Sequence, residues 1–245
     1  MKTINFFIEI KSGQQPIIKI ANMVIVALGQ MSIHDKVFKT AYFLYKNESI
    51  GFDTYNKEKS AIELANHILN YSLKDINRFE KIENPDINYS RPYGFTFGLQ
   101  FKEAGKKVLS LTFKLGSNSN NFIGTISISK DLNRDLNWYK YVIDSFVQTG
   151  NVKCASARPN DTMYLEQCIK LYRFILGFIT YFSNDYGLQI PNDLKDIEYE
   201  HISNGKYLVL KREDFTTNEE IYEAHKQRLL NVMEEIKQRV PEYGF

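Results

Sequence analysis

Four histidines, two cysteines and a few carboxylates placed near lysine are the side chains of this 245-residue chain with the means to do chemistry. His34, His67, His201 and His225 lie nowhere within four residues of one another, so none shares a helix face with another at metal-ligand spacing. Each has a plain home in a loop, a helix face, a strand and a helix stripe respectively. Cys154 and Cys168 are fourteen residues apart, too few thiols for a disulfide framework or an all-cysteine zinc site. Burial as small apolar side chains is expected for both, since a nucleophilic Cys168 would need one of the histidines brought beside it. The remaining constellation is Pro85-Asp86, fourteen residues before Gln100-Phe101-Lys102, with Glu63 as a further carboxylate. Metal-dependent nucleases use such acids to hold a divalent ion and such a lysine to stabilise the attacked phosphate. Pro-Asp is equally ordinary turn chemistry.

Other catalytic patterns are excluded by reading. Gly105-Lys106 and Gly205-Lys206 are followed by Lys107 and Tyr207 rather than Ser or Thr, and no glycine-rich loop precedes them, so neither is a P-loop. HExxH, GxSxG, GxGxxG and the His-x-Glu with Pro-Cys-x-x-Cys pattern of deaminases are missing. No cofactor, no metal and no enzymatic activity are therefore expected. With 31 Lys+Arg against 29 Asp+Glu the net charge is +2, which argues against direct nucleic-acid binding over the whole surface. A 43% hydrophobic, aromatic-rich chain of this length buries a sizeable core. The first ten residues lack a signal peptide's apolar core and cleavage site. Residues 17–28, the most apolar stretch, contain Lys19 and Asn22 and fall short of the roughly 18 to 20 residues that span a bilayer. A cytoplasmic protein with no membrane partner is expected.

Charge is unevenly placed. From Asp185 to Glu223 there are ten acids and four bases, net −6, so the rest of the chain carries +8. Solvated surface and helix capping account for part of this, with Glu219 and Glu220 suited to a helix N-terminus. The sharper reading is a surface complementary to a basic partner: Asp185, Asp193, Asp196, Glu198 and Glu200 supply charge, and Tyr186 and Tyr199 supply aromatic anchors, with Tyr222 a further candidate.

The elements that would position these residues follow from periodicity. Residues 4–10 alternate as a strand, and a helix opens at Pro16 and runs to about residue 30. Residues 37–46 are aromatic and β-branched, implying a strand, and 57–73 carry apolar residues at helical spacing. Residues 74–92 read as a long exposed loop. Strands at 93–102, 107–115 and 122–129 form an antiparallel meander with one oily face, covered by a helix over 132–148. Residues 151–158 look extended. The apolar stretch 164–182 favours a helix to 178 by length and a strand by its Phe, Ile and Thr content; a helix is expected. Asn204-Gly205 signals a hairpin between 197–203 and 206–212 through a type I′ turn. Thr217 and Glu220 form a capping box for a last helix ending at Pro241. The fold class expected is α+β: a largely antiparallel sheet with helices packed mainly on one face, a C-terminal amphipathic helix, and one domain over 1–245.

In the C-terminal third, Leu176-Gly177-Phe178-Ile179-Thr180-Tyr181-Phe182, then Ile190-Pro191, then Ser203-Asn204-Gly205-Lys206-Tyr207-Leu208-Val209-Leu210, then Phe215 and the helix with His225 occur in order. This arrangement resembles the immunity protein 52 family of bacterial polymorphic toxin systems, linked to type VI secretion, with Phe178 where that family has Trp. The resemblance covers about residues 170–240, with a weaker echo near 37–45. It implies a cytoplasmic antitoxin that binds a cognate secreted toxin, a restriction-endonuclease-like nuclease, and neutralises it by occlusion. The acidic stretch would then mimic phosphate in a basic cleft. The rival readings are the metal-dependent nuclease above and an adaptor with a basic non-toxin partner.

Overall fold

The computed structural model describes residues 4–10, 14–45, 48–117, 125–128, 135–150, 152–172, 174–211 and 219–243. Among these residues ten strands form one antiparallel sheet in the order β3-β2-β4-β5-β6-β1-β7-β8-β10-β9. These are β1 (Ile4–Ile10), β2 (Thr40–Tyr45), β3 (Glu48–Asp53), β4 (Tyr93–Glu103), β5 (Lys106–Ser117), β6 (Thr125–Ile128), β7 (Val152–Pro159), β8 (Ile179–Ser183), β9 (Ile197–Ile202) and β10 (Gly205–Leu210). Among the described residues five α-helices accompany them: α1 (Ile17–His34), α2 (Lys57–Asp75), α3 (Leu136–Val147), α4 (Thr162–Leu171) and α5 (Glu219–Arg239). The expected α+β class is what the chain adopts.

One row of directly paired residues crosses every strand: Ile50, Phe43, Leu99, Leu111, Ile126, Phe6, Ala157, Ile179, Val209 and Glu198. Paired residues in an antiparallel sheet share a face, so this row marks the oily face that the alternation in β4 and β5 implied. Three helices cover it. Phe43 stacks on His67 of α2, Phe6 on Tyr139 of α3, and Phe113 meets Phe146 of α3. α1 packs against both α2 and α3, with Ile20, Val24, Ile25, Leu28 and Met31 fully buried. α1 is long and apolar enough to cross a bilayer, yet 56% of it is buried inside the fold, in keeping with the core helix expected there.

The opposite face is divided. Over β4 and β5 it is polar and open, showing Thr96, Gln100, Lys102, Ser110 and Thr112. Over β7 to β10 it is covered by α4, α5 and the 184–196 segment: Phe178 meets Tyr222 and His225 of α5, and the buried Tyr164 of α4 donates to the Leu176 carbonyl at 2.8 Å. Helices thus lie mainly on one face, with two crossing to the other.

Several local expectations are corrected. The helix expected to 178 ends at Leu171, and β8 takes Ile179–Ser183. Residues Lys36–Lys39 form a 3-10 turn before β2, set by Asp35, whose carboxylate accepts from the Val37 N–H at 3.0 Å. α1 runs on to His34, so that histidine is helical rather than in a loop. β3 had no counterpart in the expected elements, and α2 continues through a π turn at Ile76–Glu80 into the stretch expected to be loop. The hairpin forms, but neither Asn204 nor Gly205 has a positive φ, so its turn is not type I′. Thr217 of the capping box, and the starts of the strand at 122 and of the helix at 132, lie outside the described residues.

Candidate functional site

The structure takes the nuclease constellation apart. Asp86 sits beside the start of α1, where Ile87 and Tyr89 carbonyls accept from Ile18 and Ile17, and its carboxylate caps Asn88. Lys102 lies at the far end of β4, its ammonium 4.4 Å from the Tyr42 ring centroid on the open face. The ten residues from Tyr93 to Lys102 span roughly 30 Å of strand between these two ends. Glu63 is on α2, across the sheet, 3.9 Å from Lys59. Among the described residues no group of three or more His, Cys, Asp or Glu could hold a metal ion.

The cysteines are buried as expected. Burial pushes the Cys168 thiol up to about 11, partly offset by its bond to Tyr164, and pushes Cys154 up further. A thiol held protonated is a poor nucleophile. His67 is pushed toward its neutral form by burial, with Glu63 opposing.

The acidic residues gather around β9, which ends the sheet and pairs only with β10 among the described strands. Glu198 and Glu200 project on the face of the apolar row, and both are exposed. Lys140 of α3 grips Glu200 at 2.6 Å and lies 5.2 Å from the Tyr207 ring centroid. Tyr207 in turn donates to Asp144 of α3. Burial raises the Asp144 carboxyl above its ordinary value, while the Tyr207 bond and Lys140 act the other way. Beside this cluster lies a cavity of about 350 Å³ lined by His34, Asn137, Trp138, Lys140, Tyr141 and Asp144. There the His34 ring lies tilted by 40° against Tyr141, with ring centroids 3.6 Å apart.

On the other side of β9, α5 pins the preceding segment. Arg239 holds Asp193 at 2.6 Å, and Arg228 holds Asp196 at 3.1 Å while also donating to the Lys211 carbonyl. The −6 counted along the chain is therefore not the charge of the folded surface, because α3 and α5 bring cations to four of its acids, Asp193, Asp196, Glu200 and Glu223. Glu198 is the β9 carboxylate with no ion pair to a described residue. Asp185 lies apart, at the end of β8, accepting from Ser183 at 2.7 Å.

The tyrosines chosen as anchors do structural work. The Tyr199 hydroxyl donates to the Pro191 carbonyl at 2.6 Å and accepts from the Leu194 N–H at 3.3 Å, tying the 190–194 loop to β9. Tyr186 packs half-buried on Phe182 and bonds Cys154. Tyr222 is buried. The fold thus sets candidate residues around β9, Glu198 and Glu200 on its α3 side and Asp193, Asp196 and Tyr199 on its α5 side, and leaves Asp185 and Tyr186 elsewhere. Lys140, Asp144, Arg228 and Arg239 complete the surface, and no local signal marks them, since they lie 32 to 63 residues from their partners.

No protein-family model matches the chain, and no curated protein matches it in sequence.

Proposed function

We propose that this protein is an immunity protein: it binds a cognate toxin, a nuclease with a basic cleft, and neutralises it by occlusion rather than by chemistry of its own. The observation that carries the reading is the β9 edge, where Glu198 stands at the end of a row otherwise apolar across the whole sheet. A carboxylate in that place gains nothing from the core and is available to a cationic partner. The ion pairs of Asp193, Asp196 and Glu200 hold their side chains in fixed positions, which reduces the ordering that binding must impose. The order of residues 176–182, 190–191 and 203–210 supports the same reading through the immunity protein 52 family. The separation of Asp86, Glu63 and Lys102 favours it over the metal-dependent nuclease.

The test is capture of the product of the adjacent open reading frame by tagged protein, with DNA cleavage by that product measured with and without this chain. Stoichiometric capture that abolishes cleavage supports the reading. Glu198→Lys, which breaks no ion pair to a described residue, should slow association and flatten its salt dependence. Capture without inhibition would make the protein an adaptor. Metal-dependent cleavage by this chain itself would overturn the proposal.

A further inference from the structure

Among the described residues, no strand pairs with the outer edge of β9. The Lys211 N–H donates to the Asp196 carbonyl and the Leu210 N–H to the Phe178 carbonyl, so along β10 alternate residues face β9 and β8. By the register Gly205↔Ile202, Tyr207↔Glu200 and Val209↔Glu198, residues 198, 200 and 202 turn their main chain toward β10. Tyr199 and His201 consequently point their N–H and C=O groups away from the sheet. Ile197 does so with its carbonyl, its N–H being bonded to Leu194. Such an edge is a template for another strand.

A second copy of this chain fits it poorly. Residues opposite one another across an antiparallel pair share a face, so β9 meets its own copy only in registers that keep Glu198 and Glu200 on the same side. In one of the two registers that use nearly the whole strand, Glu200 faces its own copy; in the other, Glu198 faces Glu200 twice. Like charges directly opposite are destabilising. Glu198, with no ion pair to a described residue, instead favours a strand that places lysine or arginine opposite or diagonal to it.

We propose that β9 is a docking edge that accepts an extended, basic segment of a partner protein as an eleventh strand, with Glu198, which has no ion pair to a described residue, reading its cation and Glu200 held beside it by Lys140. This rests on the inhibitor reading for the partner's identity, and on β9 alone for the mode of binding. His201 is exposed and its N–H faces outward, so His201→Pro removes an edge donor without removing a bond to β10.

The experiment follows amide hydrogen exchange at Tyr199 and His201 while adding a synthetic peptide of about ten residues alternating lysine and threonine. A peptide alternating glutamate and threonine is the control. The proposal expects protection of both amides by the lysine peptide only, and binding weaker by about tenfold in His201→Pro, with His201→Ala close to the parent. Absence of protection, or equal binding by His201→Pro and His201→Ala, overturns it. Where the adjacent gene product forms a complex that leaves these amides exchanging freely, the docking edge is refuted and the inhibitor reading stands. Where that product fails to bind but the lysine peptide protects the edge, the inhibitor reading falls and the docking edge stands.

Discussion

Replacing Gly205 with alanine and, separately, with asparagine distinguishes two reasons for a glycine at the start of β10. A Cβ at this position would lie 2.3 Å from the Phe182 carbonyl oxygen and 2.6 Å from the Tyr181 ring. The first is the main chain of β8, paired on both sides, and cannot swing away. The second is a buried ring whose hydroxyl is tied to the Asn204 carbonyl at 3.0 Å. Either substitution must therefore push β10 off β8 at the Gly205↔Ser183 pair. Overpacking of this kind costs about 1–3 kcal/mol. For a chain of this size, roughly 2–4 °C per kcal/mol lowers Tm by about 2–12 °C for alanine. Asparagine, being larger, should cost at least as much. If the glycine served a left-handed backbone, asparagine would be the milder change, because it tolerates that region better than alanine. Urea unfolding and calorimetry of the two variants decide it. An asparagine variant more stable than the alanine variant, or an alanine variant within about 0.5 kcal/mol of the parent, would refute the close-approach explanation.

Two further outcomes follow from burial. Glu9 is half-buried, and burial raises its carboxyl above the ordinary 4.5, with Lys153 partly offsetting this. The native state then keeps the proton to higher pH than the unfolded chain does, so this group's contribution to stability is present in acid and is lost as pH rises above 4.5. Glu9→Gln should therefore stabilise the protein at neutral pH, with the gain vanishing below 4.5; denaturant titrations showing the same gain at both would exclude this. Both cysteines, buried and held protonated, should resist iodoacetamide at neutral pH in the native protein and react on unfolding; prompt labelling of either in the native state would contradict their packing.

The sequence was most readable where one face is wet and the other dry. β4 and β5 alternate cleanly because α1 to α3 cover one side and solvent the other, and the stripe of α5 is legible for the same reason. β8 was missed because all five of its residues are buried, between α3 on one face and α5 on the other, and a strand dry on both sides has no alternation to read. The apolar run from α4 into β8 therefore looked like one long helix. Its break is marked by Gly177, where a Cβ would come within 2.3 Å of the Ala157 carbonyl oxygen, a contact visible only once β7 is in place. At the candidate site, the carboxylates in and just before β9 were found from local charge density. The cations that neutralise three of them were not, since an ion pair between α3 and β9 leaves no mark in the intervening sixty residues.

The position of β1 has a consequence for how the chain assembles. This first strand is the seam between two wings, β2 to β6 on one side and β7 to β10 on the other, pairing with β6 near residue 127 and with β7 near residue 157. Most neighbours within a wing are close in sequence and can gather locally, the exception being β2 and β4, which pair across 58 residues, from Tyr42 to Gln100. The seam closes only across loops of more than a hundred residues, which is slow and entropically demanding. The two wings should therefore become compact before they join, and the last event in folding should be insertion of the strand that is synthesised first.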